Sequence, residues 1–560
     1  MPTFCETLKE RYLSTPEQTA IFMLLSGRED TSVSYRDLLR GAAGYAATLE
    51  ERGVQPGEGV ILIFQHSFEL IYAYFGCILQ GAIPSIMPFL TEKLLPERYR
   101  ADLAALVAVT KPQAIFTYRE FEQEVKTFTE PDTSVRAVIY AENAASPRDP
   151  DFSVLGGMQR KEKDIVLLQH SSGTTGLQKG VALSHRAVHN QLEHYRKELR
   201  INHDDVIVSW LPLYHDMGLI ACFLMPVLLG VPLVLLSPFD WVRAPHRLMQ
   251  AVSKYKGTLS WLPNFAYNFC AQKVRDRDLE GVDLSSWRAI SNCSEPMRFE
   301  SQQAFFERFK DFGLKKEALC TCYAMAENVF AVTQGGIKSP VAYDEIDREA
   351  MQMEWLAKPA IEGQPVVKMP SAGKPIEGTE VMVMDAQGKG VSERTIGELI
   401  LRSDCMLTEY FHRPDATEKA IRDGWYYTGD YGYMVGGEVY VCGRKKEMII
   451  VGGKNVYPMD LEELAMQVKG VHPGRVSAFG VFNDETGTED VIMVAEVETN
   501  EPSERESIRD EIRATVTRGS AVALRQVYLV GPHWLVKTSS GKNARTANKD
   551  KYLKETSSAG

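Results

Sequence analysis

Apolar positions in this chain alternate between helical spacing and short continuous runs. From Tyr35 to Arg52 they recur at Leu38, Leu39, Ala42, Tyr45 and Leu49, one face of a helix that ends near Gly53. Gln55-Pro56-Gly57 marks a turn, and Val60 to Phe64 predicts a buried strand. Phe68 to Leu79 is apolar on nearly every face and stops at Gly81, as expected of a helix enclosed between layers. Strand-like runs return at Ala114-Ile115-Phe116, Ala137-Val138-Ile139 and Ile165 to Leu168. Strand–helix repetition of this kind predicts an α/β fold with parallel sheets covered by helices.

Leu219 to Leu236 is uncharged and long enough to raise the question of a membrane span. Pro226, Gly230 and Pro232 interrupt it, which predicts a buried helix ending near Gly230 and a strand over Leu233 to Leu236. Glu300 to Phe312 predicts an amphipathic helix. Residues 335–370 carry Pro340, Pro359, Pro365 and Pro370 and lose all periodicity, so an inserted segment or extended surface loop is expected there. Strand pattern resumes at Gly397 to Leu401. Near the end, Ser503-Glu504-Arg505-Glu506 reads as a capping box before a helix carrying Ile508, Ile512 and Val516, and Gln526 to Val530 reads as a strand.

A chain of 560 residues exceeds one ordinary core, so several subdomains are expected. The net charge of −11 argues against general nucleic-acid binding. Nine scattered cysteines fit reduced thiols, and Cys320-Thr321-Cys322 lacks a second ligand pair for zinc. Met1 to Tyr12 has Glu6 and Glu10 and no apolar core, so neither a signal peptide nor a transmembrane segment is expected and the placement is cytoplasmic.

The chemistry concentrates in a few polar turns. Ser171-Ser172-Gly173-Thr174-Thr175-Gly176-Leu177-Gln178-Lys179-Gly180 follows the run at Ile165 to Leu168. Glycines let successive N–H groups converge on an anion, hydroxyls add donors, and Lys179 adds a mobile charge suited to phosphate. Gln178 stands where a Walker A loop needs its second glycine, so this is a different cradle. Alone, the stretch is equally a Ser/Gly-rich surface loop. His215-Asp216 sits in a loop after a strand-like run, where a structural histidine is the commoner case. Tyr323 and Glu327 end an apolar run; an aromatic there can stack on a base and a carboxylate can hold a cation. Asp430 and Arg444 each follow a glycine at a strand end and suit the hydroxyls of a sugar, although singly each is an ordinary turn charge. Gly541-Lys542 near the terminus is weak evidence by itself.

In this order, these segments resemble the adenylate-forming superfamily of acyl-CoA ligases, adenylation domains and luciferases, over nearly the whole chain. The ordered set carries the resemblance: 171–180, Tyr323 to Glu327, Gly424 to Asp430, Gly443-Arg444 and Ser540-Gly541-Lys542. Within the superfamily the chain looks most like the fatty acyl-AMP ligases. Leu211-Pro212-Leu213-Tyr214-His215-Asp216-Met217-Gly218-Leu219 matches their histidine segment, Ala326 stands where coenzyme A ligases commonly have Thr, and the stretch from Glu327 to Gly373 is long. It departs at His170, where an aromatic is common, at Asn292-Cys293-Ser294, which replaces a small Gly-Ala pair, and at the 171–180 loop, whose wording is closer to coenzyme A ligases.

The resemblance implies a large multi-subdomain N-terminal domain with helix-covered mixed sheets over 1–445 and a small, mobile α+β C-terminal domain over 446–560, hinged at Lys446. It implies that a fatty or related acid attacks the α-phosphorus of ATP, with Mg2+, giving acyl-AMP and pyrophosphate. Ser171, Ser172, Gly173, Thr174, Thr175, Gly176 and Lys179 would cradle the β- and γ-phosphates. Ser294, Glu295, Cys322, Tyr323, Ala324, Met325 and Ala326 would line the nucleotide, with Tyr323 on the adenine. Asp430 and Arg444 would take the ribose, Glu327 the metal, His215 the acyl end, and Lys542 the reacting oxygens. The acyl group would pass to an acyl carrier protein, the inserted segment restricting the rotation that coenzyme A needs. Lys537, Lys542, Arg545, Lys549 and Lys551 are candidate docking charges for such an acidic partner. A coenzyme A ligase, or a non-catalytic nucleotide- or acyl-binding relative, are the alternatives.

Overall fold

The computed structural model describes residues 1–90, 96–126, 133–170, 179–452, 454–483, 486–520, 522–538 and 541–557. They divide into two compact units. The first comprises 1–342, 370–380 and 401–426, and the second 343–369, 381–400 and 427–560.

Among the described residues, two large mixed sheets build the first unit. One has nine strands, with a parallel centre from Leu319–Ala324 through Ala289–Cys293, Leu259–Pro263, Ile207–Ser209 and Leu233–Leu236 to Thr19–Leu24, and antiparallel strands at both edges. The other has seven strands. Ile165–His170, Ile83–Met87, Gly59–Ile63, Ala114–Thr117 and Ala137–Tyr140 run parallel, and Gly180–Ser184 and Glu409–Tyr410 close one edge antiparallel.

The helices Tyr35–Glu51 and Phe68–Gln80 lie where the periodicity predicts them. Ser67 caps the second through the Leu70 N–H, and Gly81 ends it at φ +89°. Its all-round apolarity follows from close packing: a Cβ on Gly76 would stand 2.6 Å from the Tyr45 Cβ, so only glycine lets these two helices touch. The apolar run at 219–236 folds as a wholly buried π-helical stretch, Met217–Leu224, then Met225–Leu229, the left-handed Gly230 and the strand Leu233–Leu236. Among the described residues no helix is long and apolar enough to cross a membrane.

In the second unit, Thr379–Met384, Gly397–Ser403, Trp425–Val435 and Glu438–Arg444 form a sheet; the unit bounds fall within its first three strands. The non-periodic segment at 335–370 proves ordered. Tyr343–Asp347 pairs in a two-stranded sheet with Val366–Pro370, and the short helix Arg348–Met353, capped by Asp347, lies between them. Ile346, Met351 and Met369 share a buried cluster with Tyr433, Tyr440 and Tyr457. Long-range packing of this kind leaves no periodic trace, which is why the segment reads as loop.

The strands Val471–Asn483, Thr488–Val497 and Gln526–Val530 form a further sheet, and Leu461, Ile508, Ile512 and Val516 share its core cluster. The helix Pro502–Ser520 starts one residue before Ser503, so that serine is not its cap. Instead, the Thr499 hydroxyl donates to Glu504 at 2.5 Å and accepts the Glu501 N–H at 3.2 Å.

Candidate active site

The parallel strands of the nine-stranded sheet deliver the expected residues at their carboxyl ends, where ligands gather in open α/β sheets. Ile207–Ser209 leads to Trp210 and His215, Leu259–Pro263 to Asn264, and Ala289–Cys293 to Ser294 and Glu295. Leu319–Ala324 carries Tyr323 and turns into Glu327.

Glu327 is half-buried, and its Oε1 accepts the Tyr410 hydroxyl at 2.8 Å; the Tyr410 and Tyr426 oxygens lie 3.1 Å apart. Burial first, and then the Glu327 charge, push the Tyr410 phenol far above its ordinary range, so it remains a donor. The Lys179 ammonium lies 4.4 Å from the centre of the Tyr410 ring, a cation–π contact. Tyr410 reaches this place because its strand pairs with Gly180–Ser184, Tyr410 opposite Val181. Lys179 and Glu327 therefore share Tyr410 as a neighbour. Ser171, Ser172, Gly173, Thr174, Thr175 and Gly176 lie outside the described residues.

Directly after Glu327 the backbone is strained. Val329 has φ +61° and ψ −55°, and the Phe330 N–H donates to the Asn328 carbonyl at 2.6 Å, a γ-turn that a β-branched residue rarely adopts. Its neighbours hold it in place. The Gln169 amide donates to the Val329 carbonyl at 3.2 Å, the Asn328 amide to Ala331 at 2.8 Å, and Gln191 accepts the Phe330 N–H at 3.3 Å.

His215 Nδ1 lies 2.5 Å from Asp216 Oδ1, and the same oxygen accepts the Met217 N–H at 2.8 Å. Ser294 sits at φ +69°, with its hydroxyl 3.7 Å from the Met217 sulfur, so the structure brings Ser294 to the histidine segment. Glu295 is committed to the fold through the Phe265 N–H at 3.0 Å. Cys322 is buried, and its thiol faces the Tyr323 carbonyl at 3.7 Å, so only its backbone could meet a nucleotide. Tyr323 anchors its own N–H on the Thr333 hydroxyl at 3.3 Å; Ala324 and Met325 are half-buried and Ala326 is buried. Beyond Ser209, Trp210 stacks face to face on Trp241, with centroids 3.5 Å apart, and Phe265 and Phe269 pack edgewise or tilted around them. His170 is half-buried and hydrogen-bonds the Ser85 hydroxyl.

In the second unit, Asp430 and Arg444 stand opposite each other across the Trp425–Val435 and Glu438–Arg444 strands, with Oδ1 and Nε 3.8 Å apart. The Thr428 hydroxyl accepts the Asp430 N–H at 3.0 Å, and Glu398 accepts the Lys445 ammonium at 3.0 Å and the Gly429 N–H at 3.2 Å. Lys446 is exposed in the following turn. Lys542 lies on a separate tight loop. Gly541 is left-handed at φ +84°, Thr538 exchanges backbone bonds with Gly541 and Lys542, and its hydroxyl accepts the Lys542 N–H at 3.1 Å. Arg545 departs from the expectation of a docking charge. Its side chain is 12% exposed and bonds Glu462 at 2.7 Å and Glu447. Burial opposes its charge, but the two carboxylates outweigh it and hold the guanidinium protonated.

Tyr410 and Tyr426 were not expected in the site. Glu409-Tyr410 carries no polar spacing or glycine signal, and only strand pairing places it.

Comparison with known proteins identifies the family. The family model of the AMP-binding enzymes matches residues 8–411, and the chain belongs to that family. The medium-chain-fatty-acid–[acyl-carrier-protein] ligase JamA of Moorena producens is 28% identical over 582 residues, covering 99% of this chain and 95% of JamA. The long-chain-fatty-acid–AMP ligase FadD32 of Mycobacterium marinum is 27% identical over 552 residues, covering 89% and 85%. A solved structure from work on the fatty acyl-adenylate ligases of E. coli and L. pneumophila superposes with a TM-score of 0.90 at 28% identity, covering 100% of this chain and 98% of that one. The enzyme is a ligase that activates a carboxylic acid through an acyl-adenylate, with ATP as the nucleotide.

Proposed function

We propose that the enzyme activates a fatty or closely related acid and passes the acyl group to the phosphopantetheine thiol of a carrier protein instead of to coenzyme A. The observation that carries this reading is the anchoring of the inserted segment. The Arg348 guanidinium donates to the Gly519 carbonyl, and Asn455 donates to the Gln352 carbonyl at 3.1 Å. Trp355 meets Tyr431 edge to face at 4.9 Å. The insert is thus tied to residues well beyond Lys446, where it restrains the rotation a coenzyme A ligase needs for its second step. The name of the relative JamA, a carrier-protein ligase, supports the same acceptor.

In this reading a carboxylate oxygen of the acid bonds to the α-phosphorus as the bond to pyrophosphate breaks. The obstacle is repulsion between two anions, so positioning and positive charge dominate catalysis. Lys179 and residues 171–176 hold the β- and γ-phosphates, Tyr323 takes the adenine, and Asp430 and Arg444 take the ribose. Lys542 meets the oxygens whose charge grows at the transition state. His215, fixed by Asp216, faces the acid, whose chain runs toward Trp210 and Trp241. A half-buried carboxylate is a hard oxygen donor that fits Mg2+, so Glu327, oriented by Tyr410, is the residue to hold it. That ion would neutralise charge on the phosphate oxygens.

A pyrophosphate-release assay over a panel of carboxylic acids tests the substrate. Strong preference for alkyl acids supports the proposal, and preference for amino or aryl acids refutes it.

A further inference from the structure

We propose that His194, Asp404 and Cys405 bind one divalent transition-metal ion of the zinc type. His194 stands on the helix His185–Leu199, and Asp404-Cys405 follows the strand Gly397–Ser403. His194 Nε2 lies 3.2 Å from each Asp404 carboxylate oxygen, and the Cys405 sulfur lies 3.3 Å from Oδ1. The three donor atoms all fall within 4.8 Å of one another. Around a tetrahedral ion with bonds of about 2.0–2.3 Å, ligand atoms stand roughly 3.3–3.8 Å apart, so small side-chain shifts convert this cluster into a coordination shell. Imidazole, carboxylate and thiolate together favour zinc or cobalt over magnesium or calcium.

Two further features point to a ligand. Gly378, at φ +77°, adjoins both donors: a Cβ there would lie 2.7 Å from His194 Nε2 and 2.7 Å from Asp404 Oδ1, so glycine keeps open the space beside them. On the other face of the ring, His194 Nδ1 is buried, forms no hydrogen bond among the described residues and lies 3.8 Å from Glu377. A carboxylate behind the non-ligating nitrogen is the usual outer support of a metal-bound histidine. Asp404 is 49% exposed on its side chain, which gives an ion a route in.

On binding, the Cys405 S–H bond breaks, the proton leaves to solvent and a sulfur–metal bond forms. None of these residues belongs to the adenylation machinery. The segment does run on to Leu407, whose N–H donates to the Glu327 carbonyl at 2.8 Å, so a bound ion would brace the chain that supports Glu327.

The test is titration of the full-length, chelator-stripped enzyme with Co2+ alone, followed optically, and with Zn2+ alone, followed by metal analysis after dialysis. One equivalent of metal with a near-ultraviolet thiolate-to-cobalt band is expected. The band should vanish in Cys405→Ser, and Glu377→Gln should weaken binding about 10-fold. Zn2+ should raise the thermal midpoint of the wild type but not of His194→Gln. No retained metal and no thiolate band in the wild type would overturn the proposal, as would a band that persists unchanged in Cys405→Ser.

Discussion

The Tyr410 hydroxyl donates to the Glu327 carboxylate at 2.8 Å, while the face of the same ring carries the Lys179 ammonium at 4.4 Å. Removing the hydroxyl in Tyr410→Phe leaves the ring and the lysine contact but frees the carboxylate. A hydrogen bond to a charged group is worth about 1.5–3 kcal/mol. Tyr410→Phe should therefore lower kcat/KM for pyrophosphate release roughly 10- to 100-fold and raise the Mg2+ concentration needed for half activity. Unchanged Mg2+ dependence would separate Tyr410 from the metal.

Lys542 is the residue assigned to the growing transition-state charge. Lys542→Ala should reduce adenylation at least ~100-fold, the scale of losing one such contact, with little change in ATP binding. Near-normal turnover in pyrophosphate exchange would remove it from the mechanism.

Glu462 gathers Arg545 at 2.7 Å, the Asn543 amide at 3.0 Å and the Ala478 N–H at 2.9 Å, all beside the Lys542 loop. Arg545→Ala leaves the buried Glu462 without its cation, at a cost of about 3–5 kcal/mol. Urea unfolding followed by a probe in the second unit should show that loss, and adenylation should fall with it. A shift below about 1 kcal/mol would mean that Glu462 is solvated in solution.

Histidines with ring nitrogens shut away from water set an acid limit. Burial lowers His66, His170 and His189 to about 4 and His185 to about 3, from an ordinary value of 6.5. The unfolded chain takes up protons near 6.5 that the folded chain refuses, so stability is full above about 6.5 and declines as pH falls toward about 4. His185 makes the reason concrete, because its Nδ1 accepts the Phe4 N–H at 3.1 Å and must stay unprotonated to do so. Thermal midpoints should fall steadily as pH falls across that window; a flat profile would contradict the enclosure of these ring nitrogens.

Elements with a local signal were legible in the sequence. The Phe68–Gln80 helix announces itself by its apolar run and Gly81, and the 219–236 stretch by Pro226 and Gly230. Tyr323 and Arg444 were legible as well, an aromatic and a charged side chain near the ends of the strands Leu319–Ala324 and Glu438–Arg444, whereas Asp430 lies inside its strand. Features that depend on pairing between distant segments were not legible. Tyr410 enters the site only through the register of a two-residue strand, and the insert is held by partners about a hundred residues and more away in sequence. Val329 is the extreme case: β-branched residues avoid its conformation, and bonds from Gln169, Gln191 and Asn328, residues the local sequence does not point to, help keep it there.

The most direct test of the account is a product analysis of the purified enzyme with ATP, Mg2+ and a fatty acid, run alone, with coenzyme A, and with a phosphopantetheinylated carrier protein. Acyl-AMP should accumulate alone and with coenzyme A, and acyl-carrier thioester should appear only in the third reaction. Acyl-CoA formed as fast as acyl-AMP would contradict it.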